Sequence, residues 1–238
     1  MIGRFLELSV QADDILASVE FYERLGFRQI QVGETWSHPY AVLTDGRIPI
    51  GLHRYDFESP SLTFVLPELA TKLPHIERQG LNFKFRKLGA DEFNEAGLVL
   101  PDNQMLTLLE ARTYSPPSFD DSDFSLLGRI FEWSIPVHGL DGAVGTWEKL
   151  GFRLAGLHTE PHARGLLSGE DIAIGLHERP ALRHPALCFV CRDLDQTVGY
   201  LIEQGFHLDP ERSPIDGGPA FVLVSPEGLR LLLCPTPV

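Results

Sequence analysis

The chain has 238 residues, 43% of them hydrophobic, and a formal net charge of −13. That length and apolar fraction can bury a sizeable core, while the acidic balance and the lack of any Lys/Arg cluster exclude a phosphate-gripping face for nucleic acid and disfavour an anionic membrane surface. With no signal-peptide pattern and no apolar run long enough to span a bilayer, the expectation is a soluble cytoplasmic protein.

Taken in chain order, the sequence repeats one local pattern four times. Strand character over residues 5–10 is followed by apolar residues at helical spacing (Ile15, Val19, Tyr22, Leu25), then Gly26, then three short strand-like segments at 27–32, 40–43 and 48–53. The second copy opens at 62–66, reaches Gly80, and continues at 83–87, 98–100 and 105–109. The third and fourth open at 130–135 and 187–191, and their helices stop at Gly151 and Gly205; Leu140, Val144, Trp147 and Leu150 give the third its helical stripe. Each glycine suits a left-handed helix C-cap, and Asp45-Gly46, Pro101-Asp102-Asn103 and Pro226-Glu227-Gly228 are good turns.

The four glycines are spaced 54, 71 and 54 residues apart, which groups the copies as two pairs. At an offset of 125, GRFLELSVQADDILASVEFYERLGF lies without a gap on GRIFEWSIPVHGLDGAVGTWEKLGF, sharing Glu7/Glu132, Ser9/Ser134 and the Leu-Gly-Phe ending. The chain is therefore a tandem duplication. The expected organisation is a first domain at 1–112 (modules 1–55 and 56–112), a linker at 113–125 rich in Pro, Ser and acids, and a second domain at 126–238 (modules 126–179 and 180–238). Cys188 and Cys191 have the spacing of a zinc or redox pair, but in a strand residues three apart point to opposite faces, so they read as ordinary strand residues.

Alternation sorts the faces. Leu6, Leu8 and Val10, with Phe131, Trp133 and Ile135, are expected to cover a helix, leaving Phe5, Glu7 and Ser9 on the other side. Ile48, Ile50 and Leu52 match Ile172, Ile174 and Leu176 as a helix-facing row, which turns Gly51 and His53, and Gly175 and His177, the other way. Glu7 with His53, and Glu132 with His177, are thus expected on one face in both halves. His38 and His162 each stand fifteen residues before the second histidine, where a hairpin makes parity unreliable.

The unit, its pairing and the phrases SVEFYERLGF, VLPDNQ and SPEG resemble the glyoxalase, bleomycin-resistance and extradiol dioxygenase superfamily, the vicinal oxygen chelate proteins. The resemblance implies an α+β protein whose four βαβββ modules form two glyoxalase-like open barrels, each with a concave cavity for a small organic molecule. It also implies that the strands bearing Glu7 and His53 are neighbours. In metal-binding relatives of this kind a divalent ion is held from four places. These fall on Glu7 or Glu132, on Gly51 or Gly175, on Ser61 or Ala186, and on Thr107 or Leu232; only the first is a ligand type, and a histidine follows the second by two residues. The ring-cleaving members use histidines where Glu132 and Ala186 stand, and glyoxalase proper uses last-strand glutamates that are missing here.

Three readings of the site follow. Glu7, His38 and His53, with Glu132, His162 and His177, could form a two-histidine, one-carboxylate site for Fe, Mn, Ni or Zn serving a lyase, isomerase or oxygenase. Alternatively the cavities are metal-free and the glutamate and histidine bond to each other or to a polar ligand. In the third, Glu7 is a base and His53 an acid. Trp36 and Tyr40 are candidates to stack on an aromatic ligand, and Arg230 to receive an anionic one in the second cavity.

Overall fold

The computed structural model describes residues 2–31, 36–89, 94–111 and 125–236. The expected linker at 113–125 lies outside these except for Ser125. In the first half, β1 (Arg4–Gln11) leads into α1 (Ile15–Arg24), then β2 (Arg28–Ile30), β3 (Tyr40–Thr44) and β4 (Pro49–His53). Its second module is β5 (Ser61–Val65), α2 (Leu69–Arg78), β6 (Phe83–Lys87), β7 (Glu95–Val99) and β8 (Met105–Leu109). The second half repeats this as β9 (Arg129–Val137), α3 (Leu140–Lys149), β10 (Arg153–His158), β11 (Arg164–Ser168) and β12 (Ala173–Glu178), then β13 (Ala186–Cys191), α4 (Leu194–Glu203), β14 (Asp209–Arg212), β15 (Pro219–Val224) and β16 (Arg230–Pro235).

Each half is one open eight-stranded sheet. The first runs β2-β3-β4-β1-β5-β8-β7-β6 and the second β10-β11-β12-β9-β13-β16-β15-β14. The two modules of a half meet where their opening strands pair antiparallel, β1 with β5 and β9 with β13, while each opening strand pairs parallel with the last strand of its own module. Local chemistry sets the helix ends. Asp14 and Asp193 cap α1 and α4 by accepting from the amides of Ala17 and Gln196, and Gly26, Gly80, Gly151 and Gly205 all take left-handed φ between +82° and +93°.

A single apolar cluster runs through both halves, from Leu8, Tyr22, Ile50 and Phe64 to Trp133, Trp147, Phe152 and Leu201. Parity holds along β4 and β12, whose Ile50, Leu52, Ile174 and Leu176 all enter this core. It fails at the start of β1 and β9. A bulge between Phe5 and Glu7 shifts the register, so Phe5 rather than Leu6 packs into the core against Phe64. The matching irregularity in β9 puts Ile130 against the core and turns Phe131 to the concave side. The extra residue re-aims each strand end without disturbing Glu7 or Glu132.

The halves clasp each other through the same turn in each repeat. Glu227 receives hydrogen bonds from Ser18 (2.8 Å) and Tyr22 (2.5 Å) of α1, two residues with no more than 1% exposure. Its counterpart Asp102 meets the backbone amide and ring of His138 beside α3, and neighbouring Gln104 accepts from the Trp133 indole at 2.8 Å. The backbone joins in reciprocally, with the Ile2 amide donating to Leu150 and the Leu126 amide to Leu25. Among the described residues no helix is long and apolar enough to cross a membrane.

Truncating the clasp leaves two buried hydroxyls without an acceptor. Glu227→Ala is expected to lower unfolding stability by about 2–3 kcal/mol, read as a shift of the urea midpoint, while the exposed Glu203→Ala leaves it within about 0.5 kcal/mol.

Candidate functional site

The parallel pairing of β1 with β4 sets Ser9 opposite Gly51 and Gln11 opposite His53. Gly51 then matters for what it lacks: the Glu7 carboxylate occupies the space where a Cβ at that position would stand, and Glu132 does the same at Gly175. The glutamate therefore reaches under its neighbour strand to the histidine two residues on. His53 Nε2 lies 2.7 Å from Glu7 Oε1, and His177 Nε2 lies 2.6 Å from Glu132 Oε1. All four side chains are buried, at 3% exposure or less.

His38 and His162, which parity could not orient, complete each row. Their Nε2 atoms stand 3.0 Å from Nδ1 of His53 and of His177. The result in each half is a linear chain: carboxylate, inner imidazole, outer imidazole. Ser9 and Ser134 also donate to the same carboxylate oxygens, at 2.8 Å and 2.7 Å.

This arrangement does not fit a metal ion. A two-histidine, one-carboxylate site needs lone pairs converging on one point, whereas both nitrogens of His53 already face partners and Glu7 Oε1 receives two donors. The remaining ligand positions implied by the resemblance fare no better. Ser61 and Thr107 hydrogen-bond to each other at 2.8 Å, and Ala186 and Leu232 are apolar packing. Among the described residues no three His, Cys, Asp or Glu side chains are grouped to hold a metal.

The halves then diverge. In the first, a cavity of about 1060 Å³ opens on the concave face, with Ser9, Thr63 and Thr107 on its floor and His38, Tyr55 and Phe85 among its walls. His38 stacks on Tyr55 (centroids 4.9 Å apart, planes 17°), and Trp36 stands edge-on to His53. Trp36 thus reaches the cavity as the sequence suggested, whereas Tyr40 stacks flat on His53. Lys84 and Lys87 at the wall are paired with Glu58 and Glu95.

In the second half the expected cavity is filled. Ala186, Cys188, Val190, Val222, Leu232 and Cys234 cover the concave face, and Ile215 from the β14–β15 connection packs into them. Ser61, Thr63 and Thr107 of the first half correspond at the 125-residue offset to Ala186, Cys188 and Leu232, so hydroxyls have been exchanged for apolar groups. Cys188 and Cys191 point to opposite faces, Cys188 meeting Cys234 (Sγ–Sγ 3.6 Å) and Cys191 the Leu127 carbonyl. Arg230, expected to await an anion here, is paired with Glu211 at 3.0 Å.

Burial raises the cost of a charge on the outer imidazoles. Partial burial together with the adjacent His53 holds His38 below the ordinary imidazole value, and burial, His177 and the Arg164 charge push His162 down to about 4. Glu132 is pulled upward by burial, but its bonds to His177 and Ser134 outweigh this and hold it below the ordinary carboxylate range.

No family model and no curated protein matches the sequence. Solved structures do match over nearly the whole chain. A catechol 2,3-dioxygenase aligns with a TM-score of 0.60 at 14% identity, covering 99% of this chain and 90% of the other. The E323L mutant of homoprotocatechuate 2,3-dioxygenase from Brevibacterium fuscum aligns with 0.62 at 16% identity, covering 97% and 70%. The 2,3-dioxygenase LapB from Pseudomonas sp. KL28 aligns with 0.62 at 14% identity, covering 96% and 90%. The fold is the one these 2,3-dioxygenase structures share. At such low identity the shared property is the tandem open-barrel architecture, and activity rests on this chain's own residues.

Two outcomes test the site's construction. Gly51→Ala forces the Glu7 carboxylate out of its place and is expected to destabilise the fold by about 1–3 kcal/mol, measured by chemical denaturation, with Gly175→Ala at least as damaging. His162 is less basic folded than unfolded, so the unfolded chain binds more protons between the ordinary imidazole value and about 4, and stability falls as pH drops through that window. The melting temperature of the wild type should therefore fall more steeply there than that of His162→Gln.

Proposed function

We propose that the protein binds a small organic molecule in the cavity of its first half, and that Glu7, His53 and His38 act on it as a metal-free proton relay. The linear order of the three groups carries this reading. Two donors converge on Glu7 Oε1, the pattern of an ionised carboxylate, and an ionised carboxylate only accepts. His53 then carries its proton on Nε2 and offers the Nδ1 lone pair to the Nε2–H of His38. That leaves His38 Nδ1 bare and able to take a proton from an acidic O–H, or from a C–H next to a carbonyl, while the buried carboxylate stabilises the cation that forms. The outer histidine replaces Glu7 as the base, because His38 lines the cavity and Glu7 lies beneath it. Trp36, Tyr55 and Phe85 supply flat apolar surface, and the volume suits a ligand of drug-like size.

Because His38 is held below the ordinary imidazole value, its neutral form predominates at neutral pH and is lost as pH falls through the lowered value. Nitrogen-15 imidazole NMR on the intact chain tests the relay. The expected spectrum shows His53 protonated at Nε2, His38 bare at Nδ1, and His38 titrating in the acidic range. A His38 that titrates at or above the ordinary imidazole value would overturn the reading. So would near-stoichiometric Fe, Mn, Ni or Zn in protein purified without chelators, released by Glu7→Ala.

A further inference from the structure

The second half holds two buried polar atoms that nothing in the relay uses. Glu132 Oε2 and Arg164 Nε are the buried side-chain atoms without a hydrogen-bond partner among the described residues, and their side chains belong to residues only 1% and 8% exposed. They share a neighbourhood. Arg164 pairs across β11–β12 with His177, whose Nε2 contacts Glu132, so all three side chains lie on the concave face of adjacent strands. The first half differs at this spot, where Tyr40 takes the place of Arg164 opposite His53 and stacks on its ring.

Leaving either atom unpaired inside the protein is unfavourable, more so where the group is charged. A group that satisfies both must accept from the guanidinium and donate to the carboxylate. Charge decides its class: the guanidinium and carboxylate already offset each other, so a bound anion or cation would leave a net buried charge, whereas a neutral donor–acceptor leaves none. Size narrows it further, since the rest of this face is covered by the apolar side chains around Cys188 and Leu232. We infer that a single buried water molecule bridges Glu132 Oε2 and Arg164 Nε as a fixed part of the second half. It would extend the His162–His177–Glu132 row to Arg164 and make the second lobe a closed polar strut in place of a binding site. Buried waters of this kind are common where polar groups lack protein partners.

A crystal structure of the intact chain at a resolution that shows ordered water tests this. The expected result is one water-sized density peak within about 2.7–3.2 Å of both atoms. In Arg164→Met the peak should vanish while the 2.6 Å contact between His177 and Glu132 remains. A direct Arg164–Glu132 ion pair, density larger than water, an empty site, or a peak unchanged in Arg164→Met would each overturn the inference. Should the variant fail to fold, the wild-type density decides alone.

Discussion

A carboxylate stands where a side chain has been left out, and the rest of the site depends on that exchange. Glu7 and Glu132 point across to the neighbouring strand, and only a residue without a Cβ at Gly51 or Gly175 makes room for them. The parallel register then sets the distance to His53 or His177, and the inner imidazole sets the place of the outer one. Strand pairing fixes the position of a buried acid, and in the proposed relay that acid sets the tautomers of two histidines. A rearrangement that gathered these three groups around a metal would have to break that order at its first link.

Much of this was legible from residues alone, for reasons that differ by element. The duplication, the helix-ending glycines and the inward turn of Glu7 with His53 follow from identity at a fixed offset and from the strict two-residue period of a strand. The same period misplaced Phe5 and Phe131, because a bulge inserts one residue and reverses parity beyond it. His38 and His162 could not be oriented, since they precede β3 and β11 in connections where no alternation applies. The filled second cavity left a signal that needed the register to be read: Ala186, Cys188 and Leu232 replace hydroxyls at three paired positions. The partnership of Cys188 with Cys234 was invisible for the same reason, being a contact between strands 46 residues apart.

The two lobes show what duplication permits. Their backbones and acid-imidazole rows are alike, yet one concave face is lined with hydroxyls and aromatic rings around open space and the other is packed shut. A few apolar replacements and the inward Ile215 are enough to close it, because apolar burial favours filling a concave sheet unless polar groups keep it wet. The retained row in the closed lobe is fully buried at Glu132 and His177, where Glu132 Oε1 and His177 Nε2 serve as each other's partners.

The clasp between the lobes carries a further meaning. The turn after β7 grips the neighbourhood of α3, and the turn after β15 grips α1; the chain's opening segment bonds past α3, and the opening segment of the second lobe bonds past α1. Contacts that read the same in both directions are those of an isologous pair about a two-fold axis, here running within one polypeptide. The geometry is that of a symmetric dimer whose subunits became covalently joined. Such tethering frees each copy to drift separately, since a replacement in one no longer has to suit the other.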